Sequence, residues 1–507
     1  MRPSRSFEGR FGSLRLPRSE AADVPLRARL YAQLRAAILG GQLPAGTRLP
    51  SSRMLAAELG VSRNTVLAAL EQLYAEGYVE GRHGSGTFVT RSLPDDLLSA
   101  RVQAPPARVD PEVRRRLSQR GLLIAGAPRT PIPAFRGGPV TDRAFTIGLP
   151  ALDAFPVELW SQLFGRWARS IGTDEMCYGD PAGHLPLRRA IAAHLATSRG
   201  VRCTAEQVVV VSGSQQALDL VARLLLDPGD AAWIEDPGYL GVRAALIAAG
   251  ADVVPVRVDG EGLDVAAGIA AGPTARLAVV TPSHQFPLGT TMSLSRRLAL
   301  LEWAGSTGDW IVEDDYDAEF RYVGRPLTAL QGIDGQGCVI YVGTFSKSLF
   351  PGLRLGYLVA PPELVDGFAA AHLSADIHAP LLTQAVLAEF IEAGHFERHL
   401  RRMRSLYAQR QAAVVSAIGR HLGDEVDVPA ADSGLHLVGT LGEGLDDAAV
   451  ARHAAAHGVD VWPMSMHVIA HSPGAAVLLG FAHVSRDRLC RGVSGLARAV
   501  QDAKGER

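Results

Sequence analysis

The chain has 507 residues, 47% of them hydrophobic and 20% charged, with a net charge of −1 at neutral pH. That length exceeds what one hydrophobic core usually organises, so two or three domains are expected. Cys177, Cys203, Cys338 and Cys490 are scattered with no C-x-x-C pair, which argues against a zinc site or a disulfide framework and suits a reducing, cytoplasmic setting.

The N-terminus carries arginines but no apolar leader, and no uninterrupted apolar run approaches ~18 residues, so neither a signal peptide nor a membrane span is expected. The neutral total hides an asymmetry. Residues 1–92 contain 13 Arg, no Lys and 7 acidic residues, a surplus of +6 that leaves −7 for the remainder. A basic module ahead of an acidic body points to a polyanion partner for the front end, although a solvated basic face has the same composition.

Residues 1–24 lack periodicity and read as a basic tail. From Pro25, Leu26, Leu30, Leu34, Ile38 and Leu39 recur at helical spacing until Gly40-Gly41 stops the pattern. Pro50-Ser51 opens a second helix with Leu55, Ala56 and Leu59 on its apolar face, and Gly60 ends it. A third begins at Ser62-Arg63-Asn64-Thr65 and runs through Val66, Ala69, Leu70 and Leu73. Helix, glycine turn and helix form a helix-turn-helix pattern. Arg53, Ser62, Arg63, Asn64 and Thr65 then become candidates for phosphate and base edges. Residues 77–89 alternate like two strands about a glycine-rich turn, with Arg82 and His83 at the tip of this wing. The segments Thr-Arg-Leu-Pro-Ser-Ser-Arg (47–53), Gly-Val-Ser-Arg-Asn-Thr-Val (60–66) and His-Gly-Ser-Gly-Thr-Phe-Val (83–89) stand in an order that resembles the GntR-type winged helix over residues 25–92.

Residues 93–140 collect prolines around Arg114-Arg115-Arg116 and read as a linker, the triplet either touching DNA or merely solvated. From 141 onward, Ala-rich helices alternate with short apolar strands, which predicts an α/β domain with a mostly parallel sheet. The strand Val208 to Val211 feeds a helix at Ser214 and Gln215, a junction that offers free N–H groups to a phosphate. A strand from Ala231 leads to Tyr239, which either stacks on a planar ring or simply packs the strand end. Trp310 to Asp314 is a strand that places a carboxylate at its end, with Tyr316 two residues on. A buried Asp there needs a partner, and a protonated pyridine nitrogen is one. Tyr341 to Tyr357 then supplies Lys347 in a hydroxyl-rich turn with Thr344 and Ser346, and Arg354 in a second strand, Leu353 to Ala360. A lysine for a Schiff base, with hydroxyls and an arginine for a dianion, suits an aldehyde cofactor carrying a phosphate.

In this order the set resembles the fold-type I aminotransferases over about residues 145–500. The resemblance implies pyridoxal 5'-phosphate as cofactor. It gives Lys347 the Schiff base, Asp314 the pyridine nitrogen and Tyr316 the ring hydroxyl. Ser214, Gln215, Ser346 and Arg354 take the phosphate, and Tyr239 lies against the ring. A GntR-type winged helix, a Pro-rich linker and this body together resemble the MocR/GabR family of transcription regulators. That implies a double-stranded DNA operator, a head-to-tail homodimer and a large domain sensing pyridoxal phosphate or an amine-bearing metabolite. Phe286 stands where working aminotransferases carry the Asn of Asn-Pro-x-Gly. The strand Val477 to Phe481 lacks their carboxylate-binding Arg, and Gly241 occupies the Arg position of GABA-sensing members. These departures favour a sensor over an active aminotransferase that carries a DNA-binding domain, and they disfavour GABA.

Overall fold

The computed structural model describes residues 25–82, 85–91, 93, 117–131, 143–324 and 327–506, divided between two compact units, Met1–Arg116 and Leu117–Arg507. The basic tail 1–24, His83 and Arg114 to Arg116 lie outside the described residues.

In the first unit, α1 (Leu26–Leu39), α2 (Ser52–Leu59) and α3 (Arg63–Ala75) precede the antiparallel pair β1 (Val79–Arg82) and β2 (Gly86–Val89). Leu30, Leu34, Ala37 and Ile38 form the buried stripe of α1, whereas Leu26 and Leu39, expected on that stripe, are exposed. Val66, Ala69 and Leu73 of α3 meet that stripe together with Leu49, Leu55, Tyr78, Val79 and Val89. Spacings of three and four residues put the α3 trio on one face, and their burial sets its angle in the unit. Ser51 and Ser62 cap α2 and α3, accepting from Met54 N and Thr65 N at 3.3 and 3.1 Å. Each cap contributes about 1 kcal/mol. Gly60 closes α2 in the left-handed region at φ 63°, a conformation that favours glycine.

The second unit is built on an eight-stranded sheet. Its strands are β3 (Val208–Val211), β4 (Ala231–Asp236), β5 (Asp252–Asp259), β6 (Gly262–Leu263), β7 (Ala275–Val280), β8 (Trp310–Asp315), β9 (Val339–Thr344) and β10 (Gly356–Val359). Their spatial order is β3-β10-β9-β8-β7-β4-β5-β6. The β9-β8-β7-β4-β5 run is parallel, while β10 lies antiparallel between β3 and β9. Strands covered on both faces read as continuous apolar runs, as in Val208 to Val211, all buried. A smaller antiparallel sheet follows, from β11 (Val426–Asp427), β12 (His436–Leu441), β13 (Trp462–Pro463) and β14 (Ala476–Gly480), in the order β11-β12-β14-β13.

Three local differences from the sequence reading bear on the site. Arg354 is not in a strand: it sits in the left-handed region at φ 52°, two residues before β10 begins. Tyr239 lies beyond the end of β4, at the N-terminus of the helix Leu240–Ala249. Residues Gln119–Gly126, within the segment read as linker, form a helix capped by Ser118, and Arg120 Nε donates to Ala248 O at 2.9 Å.

Candidate functional site

Arg63 and Asn64 open α3 and are exposed, as is Arg53 on α2. The Arg63 guanidinium leans towards Ser52, its Nε 3.4 Å from Oγ. Ser62 and Thr65 are spent largely on local structure, since their hydroxyls lie 2.8 Å apart and Ser62 Oγ caps the helix. Arg82 pairs with Glu80 at 2.7 Å and packs over the Phe88 ring, which directs it along the wing. Arg48, absent from the candidates, lies against Gly86 at the turn end of the wing, where a Cβ would come within 3.1 Å of its Nε.

In the large unit the C-terminal ends of the parallel strands gather the other candidates. β3 runs into Gly213, at φ 106°, which caps the helix Ser214–Leu225. The Arg354 guanidinium covers this turn, its nitrogens 3.4 and 3.6 Å from where a Gly213 Cβ would stand. A helix N-terminus under an arginine is an anion cradle. Gln215 donates to Gly241 O at 2.9 Å, and the Tyr239 hydroxyl donates to Gln215 Oε1 at 3.4 Å. A Cβ at Gly241 would stand 2.2 Å from Gln215 Oε1 and 2.4 Å from the Tyr239 ring, so no side chain fits there without displacing both.

Asp314, the penultimate residue of β8, is buried with Oδ1 unpartnered, and burial beside Asp315 and Glu235 pushes its carboxyl up to about 7. Glu235 is likewise pushed up to about 7 by burial, although Thr281 and Gln285 donate to it. Lys347, in the single turn after β9, donates to Gly148 O at 2.9 Å, and burial lowers its pKa against the opposing pull of Asp317 and Asp314. Ser346 N–H donates to Thr344 Oγ1 at 3.2 Å, which closes the same turn. Tyr316 is bonded through its hydroxyl to His284 Nδ1 at 2.9 Å, and burial raises its pKa well above the ordinary value. Sequence reasoning missed His284 and Asp317. Both were adjacent to residues already singled out, two before Phe286 and one after Tyr316. Nothing local marks a contact across more than thirty residues.

Residues 153–472 match the class I and II aminotransferase family, and residues 26–89 match the gntR family of bacterial regulatory proteins. The probable rhizopine catabolism regulatory protein MocR of Rhizobium meliloti is 44% identical over 94% of each chain. The chain belongs to the MocR/GabR family of transcription regulators. The HTH-type regulator TauR of Rhodobacter capsulatus is 36% identical over 83% of this chain and 82% of its own. LysN, the α-aminoadipate aminotransferase of Thermus thermophilus solved with N-(5'-phosphopyridoxyl)-L-leucine, is 30% identical with a TM-score of 0.66, over 72% of this chain and 93% of its own.

As a family member the protein is a DNA-binding regulator, and its large domain has the fold of pyridoxal-phosphate-dependent enzymes. The residues present fit that group. Asp314 is a buried carboxylate with an orphaned oxygen, the Gly213 turn under Arg354 is shaped to take an anion, and Lys347 is a buried amine of lowered pKa. Each feature matches one part of the cofactor. Among the described residues no helix is long and apolar enough to cross a membrane.

Proposed function

We propose that the large domain of this regulator binds pyridoxal phosphate through Lys347 and senses the cofactor itself or a small amine-bearing metabolite. The observation that carries the reading is Asp314, a carboxylate buried with one oxygen unpartnered and within electrostatic reach of Lys347. A protonated pyridine nitrogen is the partner that would restore its charge. Ser214, Gln215, Ser346 and Arg354 would hold the phosphate, Tyr239 would lie against the ring, and Tyr316 would hold the ring hydroxyl.

When bound, the cofactor supplies an electrophilic carbon that a primary amine can take over from the lysine. Lys347 is suited to that exchange because burial lowers its pKa, which favours the nucleophilic free amine over the ammonium. The amine is one that needs no paired arginine. β14 is Ala-Val-Leu-Leu-Gly with no arginine in it, and the Gly241 position is closed by Gln215 and Tyr239. Both features weigh against a sensor for GABA and against steady turnover of amino acids.

On the DNA side, Arg53, Arg63 and Asn64 would enter the major groove while Arg82 and His83 reach the flanking backbone. Two winged helices in a head-to-tail homodimer would read two half-sites of a double-stranded operator.

The test is to select an operator from a random DNA pool with the full-length protein. Its affinity is then measured with and without pyridoxal phosphate, across a panel of amines, and in Lys347→Ala. An effector should change wild-type affinity by about five-fold or more and leave the variant unmoved. Identical affinities under every condition contradict the reading. Sustained conversion of an amino donor with a 2-oxo acid would make the domain an enzyme instead.

A further inference from the structure

His284, Asp317 and His436 are all buried, and one potential ligand atom from each lies within 4.8 Å of the others. The cluster has the spacing of a metal site, but His284 Nδ1 and Asp317 already serve each other and His436 Nε2 is engaged by a backbone carbonyl. His284 Nδ1 stands 3.1 and 3.2 Å from the two Asp317 oxygens and 2.9 Å from the Tyr316 hydroxyl. His436 Nε2 lies 3.0 Å from Pro287 O, a carbonyl that can only accept, so that nitrogen carries a hydrogen.

The same bookkeeping fixes the His284 tautomer. A carboxylate only accepts, so the nitrogen facing Asp317 must be the one that carries the hydrogen. Nε2 is buried without a partner. As a bare lone pair it is a tolerable orphan, whereas a hydrogen placed there would leave a buried donor unmet. The ring is also locked in place. A Cβ at Gly434, where φ is 88°, would stand 2.0 Å from His284 Cε1, and one at Gly289 would stand 3.3 Å from Nε2. Gly434 is itself held by Tyr322, whose hydroxyl donates to its carbonyl at 2.5 Å.

The one Nδ1 hydrogen is shared between Asp317 and the Tyr316 oxygen, and a protonated Nδ1 has no lone pair to accept the phenol's proton, so the Tyr316 O–H is free to point away from His284. We propose that His284, fixed as the Nδ1–H tautomer by Asp317, is a positioning residue that turns the Tyr316 proton towards the 3-oxygen of bound pyridoxal phosphate. The inference rests on the cofactor reading above and extends it. With Phe286 in the asparagine position, the ring oxygen has lost one donor, and a Tyr316 whose oxygen already accepts becomes the stronger remaining one. His284 sits on the same loop, two residues before the substitution.

The groups facing His284 are Tyr316 and Asp317 after β8 and His436 on β12. Asp314, Asp315, Glu235, Lys347, Tyr322 and His467 interact electrostatically with these groups.

The test uses full-length protein loaded with pyridoxal phosphate and reads the pH at which the absorbance of the bound cofactor changes between its two bands. A donor to the 3-oxygen favours its anion, so losing that donor moves the midpoint upward. His284→Phe should raise the midpoint by about half a unit or more, in the same direction as Tyr316→Phe. The double variant should match Tyr316→Phe alone, because the histidine acts only through the phenol. His284→Asn, which keeps an N–H near the Nδ1 position, should restore most of the wild-type midpoint. An unmoved midpoint in His284→Phe, or shifts that simply add in the double variant, overturns the proposal. Should His284→Phe fail to fold, Asp317→Asn carries the test, with the same upward shift expected and no shift refuting it. A wild-type protein with no cofactor band would overturn the cofactor reading itself, a result distinct from either.

Discussion

Asp314→Asn separates the charge carried by Asp314 from its shape. The folded protein holds this carboxyl at about 7, against an ordinary value near 3.8, because burial and the neighbouring Asp315 and Glu235 oppose its ionisation. A folded pKa above the unfolded one means that the native state binds the proton more tightly. Stability is therefore lost as pH rises from about 4 to about 7 and levels off above that. Between pH 5 and pH 7 the window spans two units, and at about 1.4 kcal/mol per unit the penalty reaches at most about 3 kcal/mol. Asparagine has the same outline and no charge to desolvate. In cofactor-free protein it should stabilise the fold by about 2 kcal/mol more at pH 8 than at pH 5, measured by urea unfolding at both values. The same variant should lose retained pyridoxal phosphate, because a neutral amide gives a pyridinium nitrogen no counter-charge. Equal stability differences at the two pH values would refute the burial argument. Undiminished cofactor retention would refute the pairing.

Three further perturbations bear on other parts of the molecule. Arg199 is buried, bonded to Asp315 at 2.7 Å, Leu327 O at 2.6 Å and Ser283 Oγ at 2.5 Å, so Arg199→Ala strands a buried carboxylate and should cost about 3 to 5 kcal/mol in chemical unfolding. Arg63→Ala should weaken operator binding at every salt concentration and, where the contact is to phosphate, reduce the salt slope by about 1 in a fluorescence titration. Gly213→Ala forces an L side chain to φ 106° against Arg354; it should lose about 1 to 2 kcal/mol of stability and loosen the cofactor's phosphate, read by equilibrium dialysis.

Much of this molecule is written locally. Ser62-Arg63-Asn64-Thr65 announces a helix start because the cap and the first turn are set by residues three apart, and the structure has Ser62 accepting from Thr65 N. Val208 to Val211 and Val339 to Val342 read as strands because four adjacent β-formers buried on both faces have few other uses. Arg354 misled the reading because Leu353 and Leu355 look like strand residues. Its left-handed φ of 52° is imposed by the turn that brings the guanidinium over Gly213, a non-local contact. The helix Gln119–Gly126 was hidden by two glycines and by flanking prolines, and by Leu122, Leu123 and Ile124, which remain exposed and give no periodic stripe. The His284–Asp317–Tyr316 group joins the loop after β7 to the end of β8. Only the pairing of those strands brings it together.

The most direct measurement is the absorbance spectrum of the purified protein before and after addition of pyridoxal phosphate, with Lys347→Ala alongside. The account predicts a visible band of lysine-linked cofactor in the wild type that the variant lacks, while both proteins bind the same operator DNA. A wild type without that band, or a variant that retains it, contradicts the assignment of Lys347 and with it the sensing role of the large domain.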